Sequence, residues 1–269
     1  MLIKTTERFV EEVQFMADAA DAVRKIAMEY FRSPLSVEDK ADNSPVTIAD
    51  RAIERSLRSR ITERFPDHGI FGEEEAPVNL SSLHLWVVDP IDGTKSFVTG
   101  HPLFGGLMAL LQDGTPCLGQ IDMPALNERW QGCIGVASTF NGSVCHTSKC
   151  TRLAEAFVYT TNPFAFEGEM RDVFGIIADT ARLVRFGGDC YSYGLLASGH
   201  CDLVIETGLQ PYDYLPLVQI IEGAGGVITD WAGQPLHLHS EGHVVAAATP
   251  ELHAETLVHL ASLLDRTVT

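Results

Sequence analysis

One stretch constrains this chain more than any other: Trp86-Val87-Val88-Asp89-Pro90-Ile91-Asp92-Gly93-Thr94. Val87 and Val88 suit the interior of a buried strand. Pro90 has no N–H to give a sheet, so pairing is expected to end there. The turn that follows delivers two carboxylates and a hydroxyl, softened by Gly93. Asp89 and Asp92 can face one point, and carboxylates brought together repel unless a cation or a shared proton lies between them. A hard divalent ion explains the pair, and so does a plain strand-end turn with aspartate as a helix cap. These nine residues alone leave both readings open.

Upstream, Phe9, Val13, Met16, Ala20, Val23, Ala27 and Tyr30 recur at alternating spacings of four and three. That pattern predicts one face of a long amphipathic helix, which Pro34 should end. The polar run from Ser36 to Pro45 reads as a loop. Thr47-Ile48-Ala49-Asp50 opens a second helix with Ile53, Leu57 and Ile61 on its inner face. Thr47 and Asp50 have the spacing of a capping box, which gives Asp50 a structural role on local grounds. Phe65-Pro66-Asp67-His68-Gly69 breaks this helix, and a short Ile70-Phe71 strand leads into Gly72-Glu73-Glu74-Glu75.

Beyond the opening stretch, strands are predicted over 104–111, 116–122, 128–133 and 134–140. Asp113-Gly114 and Asn141-Gly142 are hairpin turns in that series. Successive hairpins predict a largely antiparallel sheet with helices packed on it. After residue 147 the pattern alternates. Strands are predicted at 157–160, 182–186, 202–206, 227–229 and 243–248, and helices at 170–180, 190–198, 212–224 and 252–264. The expectation is an α/β (α+β) chain in two halves, 1–147 and 148–269, with no repeat relating them.

The balance of 19 Lys and Arg against 36 Asp and Glu gives a formal charge of −17. Such acidity argues against a nucleic-acid backbone or an anionic membrane as partner. No apolar run approaches the ~18 residues needed to span a bilayer. Met1 to Glu7 carry no apolar segment of the secretory kind, so a cytoplasmic protein is expected. The six cysteines include no CxxC pair. Cys145-His146 with Cys150 is a weak zinc pattern beside the plainer reading of reduced thiols, and His237-Leu238-His239 reads as ordinary strand or surface histidines.

Gly72-Glu73-Glu74 lies upstream of Asp89-Pro90-Ile91-Asp92-Gly93-Thr94. Late in the chain, Tyr212-Asp213-Tyr214 opens a helix that ends in Glu222-Gly223-Ala224-Gly225-Gly226. In these motifs the chain resembles the inositol-monophosphatase-like, magnesium-dependent phosphatases, from Thr5 to Leu264. The resemblance implies a layered α-β-α-β-α sandwich of the inositol monophosphatase and fructose-1,6-bisphosphatase type, with a mixed, largely antiparallel sheet and a second sheet. It implies metal ligation by Glu73, Asp89, the Ile91 carbonyl, Asp92 and Asp213, around two or three Mg²⁺ ions with Mn²⁺ as a substitute. Oxygen donors suit those ions. It further implies that Gly93 lets a phosphate approach the backbone, and that Thr94 positions the attacking water. Asp50 is then the partner carboxylate of Thr94, adding a catalytic role to its cap. A homodimer and a small phosphate ester as substrate are implied as well.

Three further segments resemble the subgroup that dephosphorylates histidinol phosphate in histidine biosynthesis. They are Gly187-Gly188-Asp189-Cys190-Tyr191-Ser192-Tyr193-Gly194, Pro211-Tyr212-Asp213-Tyr214-Leu215-Pro216, and Lys95-Ser96-Phe97-Val98-Thr99-Gly100 with Pro102-Leu103-Phe104-Gly105. Histidinol carries an ammonium and an imidazole, so its pocket should offer carboxylates, and Asp189 and Glu206 are the candidates. The plain alternatives are a helix cap for Asp189 and a solvated strand-end acid for Glu206. Competing activities are an inositol-1-phosphate or sugar phosphatase, a 3′-nucleotide bisphosphatase, and a catalytically silent homologue. The last needs a missing ligand, yet Glu73, Asp89, Asp92, Thr94 and Asp213 are all present.

Overall fold

The computed structural model describes residues 9–33, 37–39 and 45–264. Pro34 and Ser36 fall outside these residues. Helix α1 (Val10–Tyr30) buries Met16, Ala19, Ala20, Val23 and Ala27, the apolar stripe of its sequence. The polar segment expected as a loop contains instead a short antiparallel pair, β1 (Val37–Asp39) with β2 (Pro45–Thr47). Strands of three residues are too short for a period of two to register in the sequence. Helix α2 (Ile48–Arg64) starts at the predicted capping box, in which the Asp50 carboxylate accepts the Thr47 backbone N–H at 2.8 Å.

A seven-stranded sheet follows in chain order: β3 (Gly69–Gly72), β4 (His84–Asp92), β5 (Gly105–Gln112), β6 (Thr115–Met123), β7 (Glu128–Cys133), β8 (Thr139–Phe140) and β9 (Ser143–Val144). A five-residue helix, α3 (Thr94–Val98), sits between β4 and β5. The β3–β4 pair is parallel and the remaining neighbours are antiparallel. Both predicted hairpin turns have positive φ at both central residues, Asp113-Gly114 and Asn141-Gly142, as a type I′ turn requires.

Two expectations need correction here. Strand β4 does not end at Pro90. Its pairing with β5 is lost after Asp89 and resumes at Asp92 opposite Gly105, so an irregularity absorbs Pro90 and Ile91. Inside such a bulge the missing proline N–H leaves no partner unmet. The run 134–140 is strand only at Thr139–Phe140, because Gly135 takes φ +73° and Val136 closes a turn onto the Cys133 carbonyl.

The second sheet contains β10 (Phe157–Thr160), β11 (Leu183–Phe186), β12 (Leu203–Glu206), β13 (Val227–Asp230) and β14 (Val244–Ala247), in the order β11-β10-β12-β14-β13. Its helices are α4 (Glu169–Thr180), α5 (Cys190–Ala197), α6 (Pro211–Gly223) and α7 (Pro250–Leu264). Strand β10 runs parallel to both its neighbours, and β14 antiparallel to both of its own. Among the described residues, no helix is long and apolar enough to cross a membrane.

The alternation of side chains along the strands builds the layers. Trp86 and Val88, with Met108, Leu110 and Leu118, face Ile53, Leu57 and Ile61 of α2 and Met16 of α1. Leu85 and Val87 turn the other way, toward Tyr193 and Leu196 of α5 and Leu215 and Ile220 of α6. Val204, Val244 and Ala246 of the second sheet close that same layer. Leu203, Ile205, Val245 and Ala247 face outward against α4 and α7. The result is an α-β-α-β-α sandwich.

Helix α6 lies unusually near the first sheet. Gly119 and Gly132 are cross-strand partners. A methyl group on either would come within 2.1 Å of the Pro216 carbonyl oxygen or 2.3 Å of the Gln219 carbonyl. In the second sheet the chain passes from β10 through α4 to β11, then through α5 to β12 on the opposite side of β10. The crevice beyond the carboxyl ends of strands at such a reversal is where open α/β sheets bind ligands.

Candidate active site

Asp89 and Asp92 come from the irregular end of β4, and Asp213 from the first turn of α6. One oxygen from each lies within 4.8 Å of the others, and this is the metal-compatible group found among the described residues. Local structure fixes each of them. Asp89 Oδ1 accepts the Ile91 N–H at 3.0 Å, Asp92 Oδ2 accepts the Cys190 N–H at 2.6 Å, and Asp213 Oδ2 accepts the Gln210 N–H at 2.7 Å. Asp92 therefore anchors the start of α5, which lies in the layer next to its own strand. Glu73, on the turn after β3, bears electrostatically on both Asp89 and Asp213.

Burial first, then the neighbouring Glu73 and Asp92, hold the Asp89 carboxyl far above the usual range. Burial and Asp213 push Asp92 up to about 7, and burial with Glu73 does the same for Asp213. None of the leading influences on these three groups is a cationic side chain. An all-oxygen donor set carrying this much uncompensated negative charge fits a hard divalent ion such as Mg²⁺ or Mn²⁺. Cys145, His146 and Cys150 belong to no such group among the described residues. The His237 ring is occupied by the His239 backbone N–H at 3.1 Å.

Asp50 caps α2 with one oxygen only. Oδ2 takes the Thr47 N–H and hydroxyl, whereas Oδ1 is buried without a hydrogen-bond partner. Burial and the nearby Glu73 raise its affinity for a proton. Thr94 does not bond to Asp50. Its hydroxyl donates to the Ile91 carbonyl at 3.0 Å, so the oxygen expected to meet a metal is engaged by the threonine expected to aim water. Gly93 caps α3 at φ +81°, and a methyl there would stand 2.9 Å from an Asp189 oxygen.

A cavity of about 200 Å³ joins the acidic cluster to the second sheet, lined by Asp92, Asp189, Tyr193, Glu206, Thr207 and Asp213 among others. It opens at the carboxyl ends of β10 and β12. The plain readings of Asp189 and Glu206 both fail. Asp189 occupies the cap position of α5 but makes no capping bond; its carboxylate receives the Ser96 hydroxyl at 3.4 Å instead. Glu206 is buried, not solvated, and accepts the Thr161 N–H at 2.7 Å and the Thr161 hydroxyl at 2.8 Å. Burial, then Asp92, pushes Asp189 up to about 7, and burial raises Glu206 to about 7 as well.

Sequence reading missed three contributors. Thr161 orients Glu206 and follows no motif. Tyr193 borders the cavity with a buried hydroxyl that has no hydrogen-bond partner, and nothing in its spacing marks it. Glu54 and Arg58 bind the backbone after Glu73; their four-residue spacing is the one available signal, and it also describes a surface pair.

These shifts set a pH dependence. Unfolded aspartate and glutamate lose their protons near pH 4, whereas Asp92, Asp189, Glu206 and Asp213 hold theirs to about 7. Between those values the folded chain binds more protons than the unfolded one, so stability falls as pH rises through the window. In a chelator, the melting temperature should drop between about pH 5 and about pH 8, and added Mg²⁺ should raise it more at the upper value. Thermal unfolding checks this, and a flat profile without metal would contradict it.

The sequence profile of the inositol monophosphatase family matches residues 10–265. The chain is 45% identical over 250 residues to the chloroplastic bifunctional phosphatase IMPL2 of Arabidopsis thaliana, spanning 90% of this chain and 72% of that protein. It is 35% identical over 237 residues to a histidinol-phosphatase of Chlorobaculum parvum, spanning 87% of this chain and 92% of that one. Among solved structures, an inositol monophosphatase from Zymomonas mobilis matches with a TM-score of 0.87 at 43% identity, covering 94% of this chain and 99% of that one. The layered architecture is thus shared with inositol monophosphatases.

Proposed function

We propose that this chain, which belongs to the inositol monophosphatase family, is a magnesium-dependent phosphate monoesterase acting on histidinol phosphate. The reading extends to a cytoplasmic homodimer whose halves, 1–147 and 148–269, share the site. Mg²⁺, or Mn²⁺ in its stead, would be held by Glu73, Asp89, the Ile91 carbonyl, Asp92 and Asp213, and when bound supplies neutralising charge to the phosphate and acidity to water. The protein's own groups do the remaining work. The Thr94 hydroxyl donates its proton to Ile91, so its lone pairs are left to accept from the attacking water and aim it. Asp50 Oδ1 is the group that takes up the water's proton. Water displaces the alkoxide directly: the new bond forms from phosphorus to water oxygen, the ester P–O bond breaks, and the alkoxide takes a proton from solvent while Asp50 returns the one it received, so phosphate and the free alcohol leave without a phosphoenzyme.

The observation that carries the substrate choice is the cavity leading from the Asp92–Asp213 cluster to the carboxylates of Asp189 and Glu206. An amino alcohol with a cationic ammonium suits two acids there; the uncharged hydroxyls of an inositol ring do not need them. Relatives that carry the name histidinol-phosphatase support the same choice. The second reading, inositol 1-phosphate hydrolysis, is favoured by the solved Zymomonas mobilis relative.

A phosphate-release panel with Mg²⁺ decides between them, using histidinol phosphate, inositol 1-phosphate, fructose 1,6-bisphosphate and adenosine 3′,5′-bisphosphate. The kcat/KM for histidinol phosphate should exceed that for inositol 1-phosphate by about 10⁴-fold or more, the scale expected when buried polar groups lose their match. Asp189→Asn should erode that ratio through histidinol phosphate alone. Equal or reversed rates in the wild type would sink the histidinol reading and leave the phosphatase intact.

A further inference from the structure

We propose that Glu54, locked by Arg58, is the positioning residue for Glu73. The inference rests on the reading of Glu73 as a metal ligand. Asp50, Glu54 and Arg58 follow one another at four-residue spacing on α2 and so share one face of the helix. Glu54 is 0% exposed and Arg58 8% exposed. Charges this deep persist only when paired and fully hydrogen-bonded.

The bonds say what the pair is holding. Arg58 Nε donates to Glu54 Oε1 at 2.8 Å. The rest of the carboxylate is turned onto the loop after β3: Oε2 accepts the Glu74 N–H at 2.7 Å and Oε1 the Glu75 N–H at 3.0 Å. Arg58 Nη2 completes the grip by donating to the Glu75 carbonyl at 2.8 Å. The neck of the same loop is closed by Ile70 and Val78, which exchange both backbone bonds at 2.9 and 2.8 Å. Gly72 admits the clamp, since a methyl there would lie 2.3 Å from Glu54 Oε1.

This loop is also approached by Arg55 and Arg58, at 4.0 and 3.8 Å from the Glu75 carboxylate. It carries Glu73, Glu74 and Glu75 in succession, beside the buried Asp50, and its Glu75, Ala76 and Pro77 are exposed. Three adjacent like charges next to a fourth favour an open, splayed conformation. Glu54 overcomes that tendency through the two N–H groups immediately after Glu73, and Arg58 cancels the charge Glu54 adds. The clamp thereby decides where the Glu73 backbone stands, and with it the approach of its carboxylate to Asp89. Partners that orient ligands in this way typically change metal affinity by about 10–100-fold when altered.

Calorimetric titration with Mg²⁺ alone tests the proposal on four proteins: wild type, Glu54→Gln, Glu73→Gln and the double variant. Glutamine keeps the shape of Glu54 but presents an N–H₂ group to loop N–H donors. Glu54→Gln should weaken Mg²⁺ binding by about 10–100-fold. In the Glu73→Gln background the same change should add nothing, because Glu54 acts through Glu73. Unchanged affinity, or an equal loss in both backgrounds, would overturn the proposal and leave Glu54 a purely structural residue. If Glu54→Gln fails to fold, Arg58→Lys keeps a cation beside Glu54 and removes the bond to the Glu75 carbonyl. It should weaken Mg²⁺ in the same direction, and unaltered binding there overturns the proposal equally. A wild type that takes up no Mg²⁺ overturns the ligand reading itself, an outcome distinct from all of these.

Discussion

Asp92→Asn lowers phosphate release by about 10³–10⁴-fold, a barrier increase of about 4–5.5 kcal/mol, and at the same time stabilises the metal-free protein. The two effects have one origin. Asp92 is one of three carboxylates crowded within 4.8 Å, and the charge that suits a divalent ion is repulsive without it. Asparagine keeps an oxygen for the Cys190 N–H, which Asp92 now accepts at 2.6 Å, so the start of α5 stays anchored. What disappears is the negative charge. Phosphate release with Mg²⁺ and thermal unfolding in a chelator measure the two sides. A variant with activity within about tenfold of the wild type would refute the metal role of Asp92. Opposite signs in activity and stability mark a residue kept for chemistry at the expense of the fold.

Gly132→Ala should destabilise the protein by about 3 kcal/mol or more, and so lower its melting temperature by about 6–12 °C. The added methyl would meet the Gln219 carbonyl at 2.3 Å and the Ile220 nitrogen at 2.4 Å. Both are helix backbone and cannot swing aside. Relief requires α6 to lift from the β6–β7 pair, and α6 carries Asp213 in its first turn. A displacement of ~1 Å at a catalytic group can cost about a hundredfold in rate, so kcat should fall together with stability. Gly175→Ala is the control: it lies within α4, has nothing within 4 Å, and should be neutral or stabilising. Equal melting temperatures for the two variants would show that α6 has slack at this contact.

The layers of the fold were legible because burial writes a period into each element. The stripe along α1 and the two-sided hydrophobicity of β4 and β5 each point to one packing partner per face. The hairpin turns were legible because Asp113-Gly114 and Asn141-Gly142 adopt φ values that few other residues tolerate. Of the site, the acids were legible as motifs. What holds them was not. Glu54 and Arg58 have the spacing of a solvated pair, and only the return of β3 past α2 buries them. Nothing in the sequence around Gly119 and Gly132 shows that the backbone of α6 rests on them. The bulge that carries β4 past Pro90 depends on the register of β5, a non-local fact that no nine-residue window contains.

Asp189 sits at φ +47° and ψ −136°, after two glycines that also have positive φ. Backbone of this kind costs a non-glycine residue about 1–3 kcal/mol. Mutation here therefore faces a downhill step: glycine would relax the chain and, in the same event, erase a carboxylate that lines the cavity beside Gly93. Asp189→Gly should therefore raise the melting temperature while taking a carboxylate out of the cavity wall.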